Sequence, residues 1–480
     1  MTRTPDVPSA AGAVPEPVAD IAARPVIADL PACHGVLAFA SPARLAAAAA
    51  LAGAALRPVR RLLMLEVGSG VGLAVQAAAL AGTGTTILAQ AEDPAEAAHA
   101  AALLAEAGLE GAAEVVAGPP SRLAARLDAR FDARLDVLGD AQGDARPDAA
   151  EFDLAVMPWG WDLLPEAERA ALIGLLARRL ARGGGFMLTR SVAPGALSVG
   201  ALRQLTLNRW DAAADIADPA ARMARTLEEA ERVTLLSHRF MRGAVDWAQS
   251  RDEMRRLPPR VFARIWGAPR PAPQDSRSFA AALAPAGLVA WTPADPLRLA
   301  RSFDMTEAQQ AEIYRCADPF EAAEVADLML MRQTRSDLFL KAGGPAAEPG
   351  ALELLPVPGA AEAVASGIRV EGLLGPMTLA RAAYLPVLDA LEQAGGGGPA
   401  RLDAAARRLG LETPALTERA AVLLSAGFVL PAPHGAAGPP QAARDAAARL
   451  SEILLRRGIA DVLPDPVTAG ALPRRGTGVA

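Results

Sequence analysis

The chain has 480 residues, with 48 Lys+Arg against 54 Asp+Glu and a formal net charge of −6. That length accommodates two or three domains, and the mildly acidic balance excludes a general electrostatic attraction for nucleic acid. Two cysteines, Cys33 and Cys316, exclude a disulfide framework, and His34, His99, His238 and His434 are too dispersed to pair as ligands, so no metal is expected. The histidines are expected at the surface or in packing. Lys341 is the sole lysine; every other cationic side chain, histidine aside, is arginine. No charged start followed by an apolar core marks a signal peptide. Residues 71–91 carry no charge, but Gly72, Gln76, Gly82, Gly84 and Gln90 make a poor membrane span, so a cytoplasmic protein is expected.

In chain order, residues 1–30 are rich in Pro, Ala and Val and read as a disordered leader. Ser41-Pro42 opens a helix over 43–56. From 60 to 190 apolar runs alternate with helical stretches, the pattern of a doubly wound parallel sheet. Strands are expected at 62–67, 85–89, 114–117, 152–157 and 186–189, with helices at 70–80 and 94–107 and after Pro165. Leu127-Asp128-Ala129-Arg130-Phe131-Asp132-Ala133-Arg134-Leu135-Asp136 is a near-duplication and reads, within 121–150, as a low-complexity loop insertion. Gly183-Gly184-Gly185 reads as a helix stop. Residues 196–342 read as a mostly helical regulatory or substrate domain whose tryptophans, Trp210, Trp247, Trp266 and Trp291, are core anchors. A Pro/Gly-rich linker spans 343–360. Residues 361–435 carry three helices and a strand in a winged-helix-like arrangement, and 436–480 a tail with one helix. The would-be recognition helix of that unit has Glu418 and Arg419 as its only charges, which suits dimerisation or partner docking rather than DNA.

The chemistry-bearing stretch is Glu66-Val67-Gly68-Ser69-Gly70-Val71-Gly72, directly after the apolar run Leu62-Leu63-Met64-Leu65. A buried strand turning into a helix, with glycines at the turn, lets a ligand approach the backbone. In a doubly wound sheet such a turn lies at the carboxyl-end crevice. The spacing is G-x-G-x-G, with Leu73 where a dinucleotide fingerprint requires its last glycine.

This motif resembles the first motif of class I S-adenosylmethionine-dependent methyltransferases. The chain as a whole is similar to bacterial methyltransferases with a regulatory domain, some of which methylate protein lysines. Further carriers are Ser41-Pro42-Ala43-Arg44-Leu45, Gly108-Leu109, Phe152-Asp153-Leu154-Ala155-Val156, Pro194-Gly195 and Gln333-Thr334-Arg335-Ser336-Asp337-Leu338. The resemblance implies S-adenosylmethionine as cofactor, held by Glu66, Gly68, Ser69, Gly70 and Gly72, with Glu92 or Asp93 toward the ribose. It implies a protein substrate, with a homodimer through the C-terminal unit as a further expectation and no membrane partner. Trp159, Trp161, Asp162, Arg190 and Ser191 are the acceptor-side candidates; no catalytic residue is assigned. The sequence departs from the family where a carboxylate should close the second strand (Gln90-Ala91-Glu92-Asp93), where Gly-Asp is Gly118-Pro119, after the fourth strand (Met157-Pro158-Trp159-Gly160-Trp161-Asp162-Leu163), and in the turn Arg190 to Gly195. The alternative is therefore a catalytically degenerate methyltransferase-like binding or regulatory module. Glycine spacing and the lack of a Tyr-Lys or His site disfavour a nicotinamide enzyme.

Overall fold

The computed structural model describes residues 40–473, apart from 139–151, 194, 237–250, 253, 256, 258, 268–271, 345–347, 373–374, 433–437, 458–461 and 466–469. The expected leader, Trp247 and every histidine except His99 lie outside the described residues. Helix α1 (Pro42–Leu51) starts at Ser41, whose hydroxyl accepts from the Arg44 amide, and ends before Gly53 in the left-handed region (φ 79°), five residues short of expectation. Strand β1 (Arg61–Leu65) leads into α2 (Val71–Ala79), and β2 (Thr86–Ala91) into α3 (Pro94–Glu106). The uncharged stretch is thus a helix, a turn and a strand, and no described helix is long and apolar enough to cross a membrane. Strand β3 (Ala113–Ala117) precedes α4 (Pro120–Leu138), and β4 (Phe152–Met157) precedes α5 (Glu166–Arg179) and β5 (Leu180–Ser191).

Helix α4 replaces the expected loop insertion. Leu123 and Leu127 lie one turn apart and are buried, while Arg126 and Arg130 pair with Glu114, and Asp128 pairs with Arg178 and Arg179 on α5. The first part of the Arg/Asp-rich repeat is thus helical, with its charged side chains in ion pairs; residues 139–151 lie outside the described residues. Strand β5 is longer than expected because the glycine trio is part of it. A Cβ on Gly184 would stand 2.6 Å from the Asp153 carbonyl oxygen, so glycine lets β5 pass close to the start of β4, where the register shifts.

Helices α6 (Gly200–Ala212), α7 (Pro219–Leu236), α8 (Pro259–Trp266) and α9 (Ser276–Leu283) precede β6 (Leu288–Pro293). Then α10 (Pro319–Met329) leads to β7 (Thr334–Lys341). The sheet has seven strands in the order β3-β2-β1-β4-β5-β7-β6, all parallel except β7, which is antiparallel to both neighbours. The expected boundary at 195 therefore falls inside the sheet domain, whose last two strands come from the supposedly separate helical region. On β1 the alternation sends Leu62 and Met64 into one core with Leu73, Val75 and Leu103, and Leu63 and Leu65 into the other with Leu123, Leu172 and Phe186. The Lys341 ammonium donates to the carbonyls of Leu176 (3.3 Å), Ala177 (2.7 Å) and Leu180 (2.7 Å), so the sole lysine closes the C-terminus of α5.

Within the expected linker lies β8 (Glu353–Pro356), with Leu354 fully buried. A hairpin, β9 (Arg369–Gly372) and β10 (Gly375–Thr378), leads to α11 (Arg381–Gly395), β11 (Ala400–Arg401), α12 (Leu402–Leu409), α13 (Thr413–Ser425) and β12 (Val429–Pro431). Strands β11 and β12 flank β8 antiparallel. Helix α1 serves both bodies: Leu45 and Ala49 enter the sheet core, Ala47 and Leu51 the core of this unit. The expected tail is also structural. Helix α14 (Gln441–Arg456) packs on α2 and sends Ala446, Leu450, Ile453 and Leu454 into the sheet core.

Candidate functional site

The strand order reverses between β1 and β4, and the turns that follow these strands meet at the carboxyl edge. Glu66 leaves β1 in the left-handed region (φ 53°), a conformation that costs a non-glycine residue about 1–2 kcal/mol. Its surroundings fix it there. The Gln90 side chain accepts from the Glu66 amide (3.1 Å) and donates to the Glu66 carboxylate (3.2 Å) and to the Gly118 carbonyl (2.7 Å). The Trp159 indole donates to the Glu66 carbonyl (2.7 Å), and a Cβ on Gly160 would stand 2.9 Å from Glu66 Cγ. His99 on α3 meets the Ser69 carbonyl through Nδ1 at 2.8 Å; with a carbonyl as partner, that nitrogen donates. The loop is thus held by the ends of β2 and β4 and by α3. Between Glu66, Gly72, Pro158 and Trp159 remains a cavity of about 20 Å³, water-sized rather than nucleoside-sized.

The side chain that dominates the cleft arrives from far along the chain. Arg264 on α8 donates from Nη2 to Glu66 (2.8 Å) and Glu92 (2.7 Å), lies 3.4 Å from Glu96 through Nη1, and stands 4.9 Å over the Trp159 ring. Glu66 and Glu96 are buried and Glu92 is exposed. One guanidinium cannot neutralise all three carboxylates, and burial raises the Glu66 carboxyl and pushes Glu96 up to about 7 against the attraction of Arg264. Glu66 and Asp93 add repulsion at Glu96.

The sign of the linkage follows. Unfolding frees Glu96 to lose its proton between its ordinary range and about pH 7, so stability falls as pH rises through that window. His99, held below its usual value by burial, acts in the opposite sense. Glu96→Gln, which cannot titrate, is expected to flatten the decline in melting temperature between about pH 5 and 7 relative to wild type. Parallel profiles for the two proteins would assign the decline elsewhere.

The structure gathers Glu66, Gly68, Ser69, Gly70 and Gly72 in one turn and brings Glu92 to it through Arg264. Asp93 caps α3, its carboxylate accepting from the Ala95 amide (2.8 Å). Of the acceptor-side candidates, Trp159 reaches the loop and the others are tied elsewhere. Trp161 is 3% exposed and packs edge-on to Phe279, because its position opens a short turn that dives under β5. Asp162 accepts from the Ser191 amide (2.7 Å) and hydroxyl (2.6 Å), joining the two strand-end turns. Arg190 is 2% exposed, donates to the Gln274 carbonyl and Ser276, and lies 4.2 Å over Phe279. Sequence reading missed Gln90, Glu96, His99 and Arg264. Glu92 and Glu96, four apart at a helix start, offered a signal for the acidic cluster; nothing pointed to Arg264. Farther along the same edge, a hollow of about 300 Å³ is lined by Asp295, Arg298, Arg332, Arg335 and Asp337, with its arginines in ion pairs.

No protein-family model matches the chain, and no curated protein matches it. Among solved structures it is similar to PKMT2 from Rickettsia typhi, with a TM-score of 0.51 and 12% identity over 83% of this chain and 76% of that one. The same protein in complex with AdoHcy gives a TM-score of 0.53 and 12% identity over 84% and 77%. The likeness establishes the architecture: a class I methyltransferase fold.

Proposed function

We propose that the chain is an S-adenosylmethionine-dependent methyltransferase acting on a protein amine. The observation that carries this reading is Glu66, a buried carboxylate at the glycine turn where the sheet order reverses. A carboxylate there suits the cofactor's ammonium, because burial makes a cationic partner worth more than in water. At the ribose end Gln90 turns inward to Gly118 and the buried Ala91 closes β2, leaving Glu92 as the carboxylate nearest that end. The bound cofactor supplies a methyl group on a cationic sulfur. The chain's own part is to hold Glu66 by Gln90, to roof the turn with Trp159 and to exclude water around the transfer. The acceptor amine is assigned to another protein; within this chain the sole lysine is committed to the end of α5. The β8–β12 unit is assigned to acceptor selection or self-association rather than to nucleic acid, and the protein to the cytoplasm.

A second reading, a methyltransferase-like binding or regulatory module, is favoured by one arrangement: Arg264, stacked on the Trp159 ring, already pairs with Glu66. Calorimetric titration of S-adenosylmethionine and AdoHcy into wild type and Glu66→Ala separates the two. Micromolar binding that the substitution abolishes supports the enzyme. No heat with either ligand from folded wild type supports the module.

A further inference from the structure

We propose that Arg264 is an internal competitor for the cationic end of the cofactor, so that the cleft fills only when helix α8 withdraws from the glycine turn. The inference rests on the methyltransferase reading and adds a gate to it. The Arg264 guanidinium, stacked on the Trp159 ring, meets Glu66 Oε2 at 2.8 Å, the oxygen an incoming ammonium would compete for. Two cations cannot share the same Glu66 oxygen without repulsion at close range, so ligand and arginine exclude each other there.

The support of α8 makes withdrawal feasible. Its Phe262, fully buried, belongs to a satellite core with Leu202, Trp210, Leu227, Ala230 and Met254, separate from both cores of the sheet. Trp210 and Phe262 pack ring to ring at 5.6 Å, and Arg203 lies over Trp266 at 5.5 Å. Helices α6, α7 and α8 therefore hold one another and can swing as a body without opening the apolar cores on either face of the sheet. Arg264 ties α8 to the turn through polar contacts with Glu66, Glu92 and Glu96 and through stacking on Trp159; Val261, one turn earlier on the same face, is buried as well but is not a member of the satellite core. A cationic ligand replaces the Arg264 contacts in kind. A guanidinium retained at the turn instead, on the ligand's carboxylate, is the competing outcome, and the experiment separates it.

AdoHcy, which carries the ammonium, is titrated calorimetrically into wild type, Arg264→Ala and Arg264→Gln, the glutamine preserving a hydrogen bond to Glu66 if the alanine variant misfolds. In parallel, hydrogen exchange of residues 259–266 is followed in wild type with and without saturating AdoHcy. A gate that leaves a tenth of the molecules open makes the variants bind about tenfold tighter than wild type. Exchange across 259–266 then rises on ligand addition, the reverse of ordinary protection. Weaker or equal binding by the variants, with 259–266 more protected, overturns the gate and leaves the methyltransferase reading standing. No binding by folded wild type and folded variants overturns both.

Discussion

Gly70→Ala is expected to be among the most damaging single-methyl additions in the chain, costing about 2–5 kcal/mol as the sum of left-handed strain and overpacking. At φ 74° an L side chain is strained already. Its Cβ would stand 2.5 Å from the Ala100 Cα and 2.6 Å from the Ala100 Cβ, and those atoms belong to a fully buried residue of α3 that no side-chain rotation can clear. Moving α3 away breaks the His99 contact to Ser69 and shifts Glu96 from Arg264. The control is Gly53→Ala, with φ 79° and nothing within 4 Å, which should cost only the strain, about 1 kcal/mol. Melting temperatures of the two variants read side by side check this; equal losses would show that α3 does not press on the turn. The close approach at Gly70 is thus made by the protein's own helix. A glycine that the motif assigns to a ligand is required by packing before any ligand arrives.

The local signals were legible and the distant ones were not. The run Leu62 to Leu65 into the glycine turn, and Pro94 at the first turn of α3 with Gly108 after it, are short-range devices that hold in any context. Strand β7 defeats pattern reading because its first half, Thr334-Arg335-Ser336-Asp337, is polar for ionic pairing rather than exposure: Arg335 and Asp337 are buried and bonded to each other at 3.3 Å. Its antiparallel place between β5 and β6 is set by partners far away in the chain, such as Thr334 against Ser191, 143 residues earlier, and then by Trp291 against Phe339. Helix α4 was lost to its composition. At the site, the glycine turn and Glu66 could be read because strand and turn are contiguous. Arg264 lies 198 residues from Glu66, on a helix whose apolar face packs elsewhere, so nothing in its neighbours announces where its guanidinium goes.

The second large effect is expected at Asp327. This carboxylate, 1% exposed, accepts from Arg332 (3.1 Å) and from Arg335 (3.1 Å), and Arg335 continues to Asp337 and lies 4.8 Å over Trp291. Burial, with repulsion from Arg335 and Arg298, pulls the Arg332 guanidinium down to about 10 against the attraction of Asp327 and Asp337, and its Nε has no acceptor among the described residues, so the cluster has no surplus of anionic partners. Asp327→Ala strips one carboxylate from two buried cations and should cost about 3–5 kcal/mol, whereas Asp327→Asn, which keeps an acceptor oxygen, should cost less. Much of that loss is the penalty of stranding cations rather than the worth of the pairs. The double variant Asp327→Ala, Arg332→Met should therefore be more stable than Asp327→Ala alone, since an apolar side chain of similar length replaces the stranded charge while Arg335 keeps Asp337. Urea denaturation of the set checks this. A double variant no better than the single would mean that the Arg332 guanidinium is not stranded by the loss of Asp327. The consequence reaches the site edge, because β7 bonds to both β5 and β6, and Arg335 stands opposite Arg190 in the β5–β7 register. Loosening that pairing frees the Arg190 turn, to which Asp162 and the β4 turn are tied through Ser191, so the floor beside Trp159 loses its support.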